Sequence, residues 1–176
     1  MPRPAKVYTA SEVRELDRVA IESFGIPGIT LIKRAGRSAF NTLLLHWPDT
    51  RKLTILCGGG YNAGDGYVVA ALAAEAGLDV QLLPIGDVAK LTGDAASAKD
   101  WASSVGVSWG DPGSLIEGDV VVDALIGIGA SQGIRDEYTD EIEDINAANA
   151  PVIAIDLTSG HSAATGESLG TAVWAE

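Results

Sequence analysis

The stretch Leu53–Tyr67, LTILCGGGYNAGDGY, decides the fold. It opens on an apolar run (Leu53, Ile55, Leu56, Cys57) that reads as a buried strand. A glycine-rich turn follows, with Gly58, Gly59, Gly60, Gly64 and Gly66, and then an apolar run of helical character, Val68 to Ala76. A strand, a glycine turn and a helix start together make a place for an anion. Glycines let the backbone come close to a phosphate, and the free N–H groups at the helix start point toward it. Asn62 and Asp65 lie inside the turn. A turn built only for phosphate has little use for a carboxylate, so Asp65 points to a ribose hydroxyl, a cation or acid–base work.

Outward from this stretch, strands and helices alternate. Strands are expected near 53–57, 79–83, 106–109, 119–123 and 151–156, and helices near 64–76, 88–104 and 137–148. Val120-Val121-Val122 and Val152-Ile153-Ala154-Ile155 are continuous apolar runs, the mark of strands covered on both faces in a parallel sheet. Two helices precede the first strand. Thr9-Ala-Ser-Glu12 matches a capping box, and Val13, Leu16 and Ala20 follow on one face. After the break at Gly25-Ile-Pro-Gly28, a second helix runs from about Thr30 to the segment ended by Pro48. The expected fold is α/β, a three-layer sandwich around a Rossmann-like, mostly parallel sheet, formed by one domain over residues 1–176.

Composition sets the outer limits. The chain has 176 residues, 47% hydrophobic, with 21 glycines and a formal charge of −12. That apolar content suits a globular core and excludes a disordered chain. The negative charge repels nucleic acid and anionic membranes, so neither is an expected partner. An acidic protein that takes a phosphorylated ligand must rely on backbone N–H groups, a few basic residues or a bound cation. The single cysteine, Cys57, falls in the apolar strand; it reads as a core residue and fits a cytoplasmic location.

Ligands of such sheets gather beyond the carboxyl ends of the strands. Three strand ends here are polar or glycine-rich: Gly58 to Gly66; Asp123 with Gly127, Gly129 and Gly133; and Asp156 with Thr158, Ser159 and Gly160. All three are expected on one rim. The first loop is not a triphosphate loop, since no Lys-Ser or Lys-Thr follows its glycines. It also departs from the dinucleotide fingerprint, because no acidic residue follows Leu82-Leu83-Pro84 to hold a ribose. Asp123 and Asp156 each end an apolar strand. One alone would read as a backbone cap; two on one rim beside glycine loops read as a site. His46 sits at a helix end, where its charge suits the dipole. His161 lies beside the third loop and is left open between a structural and a functional role. Trp101 and Trp109 read as packing residues.

These motifs resemble those of the NAD(P)HX epimerases, the YjeF N-terminal domains. The family's CGPGNNGGDG is matched by CGGGYNAGDG at 57–66, its VVDALFGTGLSRPIREPY by VVDALIGIGASQGIRDEY at 121–138, and its DIPSGLxADTGxxxG by DLTSGHSAATG at 156–166 with Gly170. The resemblance implies an isomerase that interconverts the R and S forms of hydrated NADH or NADPH in nicotinamide nucleotide repair. It implies Asp156 as the catalytic acid and a potassium ion on Asn62, Asp123 and Ser159. It places the nucleotide over Tyr61, Asn62, Ala63, Gly64 and Asp65, over Gly127, Ile128, Gly129, Ala130, Ser131, Gln132 and Gly133, and over Tyr138 and Asp156. It further implies a homodimer, a dehydratase fused to the chain or separate from it, and final strands beyond Glu176. The chain departs from the pattern at Tyr61, Ala63, Thr158 and His161. Those changes keep open an alternative, a catalytically weak or inactive nucleotide-binding or scaffold module of the same fold.

Overall fold

The computed structural model describes residues 6–129 and 133–175. Helix α1 (Ala10–Glu22) and helix α2 (Gly28–His46) lead into strand β1 (Lys52–Cys57). There follow helix α3 (Tyr61–Glu75), strand β2 (Asp79–Pro84), a 3-10 turn at Val88–Lys90 and helix α4 (Gly93–Ser104). Strand β3 (Ser108–Trp109), strand β4 (Val120–Ala124), helix α5 (Asp136–Ala147) and strand β5 (Val152–Ala154) complete the order.

The strands form one sheet in the order β3-β2-β1-β4-β5, and every pairing is parallel. This is a Rossmann-like order, with its topological switch between β1 and β4, the strands on either side of the central crevice. Side chains alternate across the sheet with the strand period of two. Leu53, Ile55 and Cys57 of β1, with Val120, Val122 and Ala124 of β4, pack toward α2, α3 and α4. Leu56 and Val121 pack the other way, toward Tyr138, Ile142 and Ile145 of α5. The sandwich therefore has three layers, as expected.

The expected boundaries move in four places. α3 begins at Tyr61, so Asn62 and Asp65 are side chains of a helix and not of a turn. The expected helix 88–104 divides into the 3-10 turn and α4, whose first residue, Gly93, has φ +59°. β3 shrinks to two exposed residues at the sheet edge. β5 stops at Ala154, which leaves Ile155 and Asp156 just beyond the last rung.

The capping box of α1 is formed. The Thr9 N–H donates to Glu12 Oε2 at 2.7 Å, and the Glu12 N–H donates to Thr9 Oγ1 at 3.3 Å. Yet α1 buries none of its residues. Helix α2 approaches α3 closely at Gly36, where a Cβ would lie 2.5 Å from Val68. Trp101 is half-buried against the core, with its indole N–H on Glu75 at 2.9 Å. Trp109, expected to pack, is 40% exposed and only leans toward the Tyr67 ring at 6.0 Å.

Candidate functional site

The parallel sheet brings the carboxyl ends of β1, β4 and β5 side by side, so the three loops singled out in the sequence do share one rim. A cleft of about 1180 Å³ opens there. It exceeds the roughly 300–1,000 Å³ usual for a drug-sized ligand, and so suits a longer one. Its walls come from the start of α3, the loop after β4, the end of β5 and, unexpectedly, from α1 and α2.

Beneath the rim lies a closed polar cluster. Asp123 is fully buried at the end of β4. Its Oδ2 accepts the Ser159 N–H at 2.8 Å, and its Oδ1 accepts the Ser159 hydroxyl at 2.6 Å and the Leu125 N–H at 3.1 Å. Ser159 Oγ in turn accepts the Ile126 N–H at 2.9 Å. One carboxylate thus ties the loop after β4 to the loop after β5. Burial pushes the Asp123 carboxyl above its ordinary range, and the donors from Ser159 and Leu125 oppose that shift.

At the surface of the cleft, Asp156 Oδ2 accepts the Ile128 N–H at 2.8 Å. A Cβ on Gly127 would lie 2.5 Å from this same oxygen and 3.3 Å from Asn62. Glycine at 127 is what lets Asp156 and Asn62 approach the loop from two sides. Asn62 is buried, and neither its Oδ1 nor its Nδ2 has a partner among the described residues. A buried amide without partners costs free energy unless something else satisfies it. Asp65, one helical turn further along α3, is in a similar position: its Oδ1 is buried without a partner among the described residues. Burial raises its carboxyl to about 7, with the charges of Asp156 and Asp17 adding to the effect.

The N-terminus of α3 also faces the cleft. Its N-cap, Gly60, supplies no side-chain cap, and while the Ala63 N–H donates to the Gly60 carbonyl at 3.2 Å, the Tyr61 and Asn62 N–H groups have no partner among the described residues and are left for an anion. Tyr138 places its hydroxyl 3.4 Å from the Gly59 N–H, and Arg135 stacks over the Tyr138 ring at 5.1 Å.

Of the nucleotide positions expected from the sequence, Tyr61, Asn62, Asp65, Gly127, Ile128, Gly129, Gly133, Tyr138 and Asp156 line the cleft. Ala63 and Gly64 do not: Ala63 is fully buried in the core, and Gly64 faces Ala95 and Ile32. Ala130, Ser131 and Gln132 lie outside the described residues. Of the expected cation ligands, Asp123 and Ser159 are bonded to each other, while Asn62 stands beside Gly127. His161 does not line the cleft; its Nδ1 meets Thr158 Oγ1 at 2.8 Å. Sequence reading missed Arg14, Asp17 and Arg135. The i, i+3 spacing of Arg14 and Asp17 put them on one helix face, but nothing local said which surface that face would meet.

Known proteins resemble this chain in sequence and in fold. The family model of the YjeF-related protein N-terminus matches residues 28–176. A bifunctional NAD(P)H-hydrate repair enzyme of Coxiella burnetii is 42% identical over 169 residues, which is 95% of this chain and 34% of that protein. An NAD(P)H-hydrate epimerase of Limosilactobacillus fermentum is 35% identical over 174 residues, 97% of this chain and 83% of that one. The chain thus spans about a third of the bifunctional relative and most of the shorter one. The crystal structure of yeast ynu0 shares the fold, with a TM-score of 0.79 at 17% identity over 89% of this chain and 72% of that one. The chain belongs to the family of the YjeF-related protein N-terminus.

Proposed function

We propose that this chain is an NAD(P)H-hydrate epimerase, acting as one domain of the YjeF N-terminal type. The observation that carries the reading is the convergence at the rim: a free helix N-terminus for the diphosphate, beside an exposed carboxylate held by a glycine loop. The relatives named NAD(P)H-hydrate epimerase support it.

The substrate carries a hydroxyl on the reduced nicotinamide ring, next to the ring nitrogen. When an acid protonates that hydroxyl, the nitrogen lone pair expels it as water and leaves a ring iminium. Water then adds to the other face and gives up a proton, so the configuration inverts while atoms and charge balance. Asp156 is the group assigned to donate and recover the proton. The Ile128 N–H fixes one of its oxygens and leaves the other for the substrate. Tyr61, Asn62, Asp65, the glycine loop from Gly127 to Gly133 and Tyr138 are assigned to the nucleotide.

The residues also fit the potassium ion that the family resemblance implies. Asn62 Oδ1 is a buried oxygen unpartnered among the described residues, and Asp123 and Ser159 add the hard oxygen donors that such a cation prefers. The ion would offset the charge of an anionic ligand entering an acidic protein. A dehydratase, fused or separate, is the natural partner enzyme for such a repair. A homodimer is proposed as well, supported by apolar side chains left exposed on and around α1, among them Val7, Leu16 and Phe24. Light scattering should then give twice the chain mass at micromolar concentration; the mass of one chain at every concentration refutes it.

The decisive assay follows the interconversion of purified R and S epimers of hydrated NADH. Asp156→Asn should bind NADPH-like ligands as the wild type does and slow interconversion by about a hundredfold or more. If the wild type gives no rate above the spontaneous one while such ligands still bind, the chain is a binding module of this fold.

A further inference from the structure

Helix α1 is an anomaly in the fold. It buries none of its residues, so the core gives no reason for its presence. Its Val13, Arg14, Asp17 and Ile21 nevertheless all line the cleft. The spacing of these residues puts them along one helical face. Among the described residues, only one of the hydrogen bonds from α1 reaches into the rest of the molecule: Arg14 donates from a terminal guanidinium nitrogen to the Ile128 carbonyl at 3.3 Å, across 114 residues of sequence. Arg14 forms no ion pair among the described residues. Arg135, the other arginine lining the cleft, is paired with Glu137 at 2.8 Å.

The acceptor is what gives this contact meaning. The N–H of the same residue, Ile128, donates to Asp156 at 2.8 Å. The loop around it is Gly127-Ile128-Gly129, flanked on both sides by residues without a side chain to hold the backbone. Ile128 is therefore gripped at its carbonyl by α1 and grips the carboxylate with its N–H. From this geometry we infer that Arg14 is a positioning residue: it sets the Ile128 peptide, and through that peptide the orientation of the Asp156 carboxylate. The inference rests on the epimerase reading and on the role given there to Asp156. It assigns to α1 a task that core packing does not, the fixing of the acid against the substrate ring. Misplacing a reacting group by as little as 1 Å costs on the order of a hundredfold in rate, so a partial loosening is expected to cost less.

The test uses the full chain with Arg14→Met, which keeps the length of the side chain and removes its donors, and with Arg14→Lys, which keeps a donor. Arg14 is exposed, so both variants should fold. Arg14→Met should lower kcat about tenfold and leave KM near that of the wild type, and Arg14→Lys should recover most of the loss. In the Asp156→Asn background, Arg14→Met should have no further effect on kcat, since a residue that acts through Asp156 has nothing left to position. Amide exchange at Ile128, read by NMR without turnover, should quicken in Arg14→Met and not in Asp17→Asn. A rise in KM at constant kcat would make Arg14 a substrate-binding residue and overturn the inference. Losses that multiply in the double variant, or unchanged exchange at Ile128, would overturn it too. If the wild type has no epimerase activity, the functional reading falls, and the exchange measurement still decides whether Arg14 holds the peptide.

Discussion

At the scale of the residue, Asn62 and Asp65 stand out because the Asn62 amide and one carboxylate oxygen of Asp65, Oδ1, are buried without a partner among the described residues. Asp65 has a defined consequence for stability. Its carboxyl is raised to about 7 in the folded chain, first by burial and then by Asp156 and Asp17, whereas an unfolded aspartate titrates near 3.9. Between those values the folded state holds a proton that the unfolded state has lost. Stability linked to Asp65 is thus fully present below pH ~4 and lost as pH rises through about 7. Urea unfolding should show the wild type losing roughly 2 kcal/mol between pH 5 and 9, a figure reduced for the partial exposure of the group. Asp65→Asn should flatten much of that slope; Asp123, raised in the same direction, accounts for a remainder. A slope identical in wild type and variant would show that Asp65 titrates normally.

At the scale of the element, the informative case is the start of α3. Tyr61 to Gly66 reads locally as a turn, with asparagine, aspartate and two glycines. Packing overrides that preference and extends the helix back to Tyr61. Gly66 is part of the reason. A Cβ there would lie 2.5 Å from Ala124 of β4 and 2.8 Å from Cys57 Sγ of β1. Glycine at this place brings the helix down onto the sheet, and its role in the motif is packing and not ligand contact. Gly66→Ala improves intrinsic helix propensity by about 1 kcal/mol. It should still destabilise the protein by about 1–3 kcal/mol because the core is overpacked. A urea midpoint equal to or above that of the wild type would contradict this account.

At the scale of the molecule, the question is what joins the separate elements at the rim. Asp123 already ties β4 to the loop after β5, so it supports the fold as well as any ion. Its removal would leave the Ser159 and Leu125 donors unpaired in the interior, which makes Asp123 a poor probe of cation binding. Asn62 is the better probe, because it has no partner to leave behind among the described residues. A potassium ion held by Asn62, Asp123 and Ser159 would link α3, β4 and the loop after β5. The wild type should then melt higher in potassium chloride than in tetramethylammonium chloride, by about 2–4 °C for each kcal/mol of binding. Asn62→Ala should melt close to the wild type in the second salt and lose the potassium increment. Equal melting temperatures for the wild type in both salts would remove the ion from the proposal.

The sequence by itself determined the elements and the edge of the sheet where a ligand belongs. Strand β1, the runs Val120–Val122 and Val152–Ala154, and the capping box at Thr9 are written in neighbouring residues, because apolar runs, glycines and caps act over a few positions of chain. A parallel sheet then sends all carboxyl ends to one side, so the sequence alone puts Asp123 and Asp156 on a common rim. Tertiary structure alone decided which polar groups meet across it. Asp123 joins Ser159 over 36 residues, Asp156 joins Ile128 over 28, and Arg14 reaches Ile128 over 114. Such pairs depend on how layers stack, and no local spacing encodes that. The same holds for the protonation of Asp65: its residue type was plain in the sequence, but its shift comes from burial and from the charges of Asp156 and Asp17, which only the folded chain brings near it.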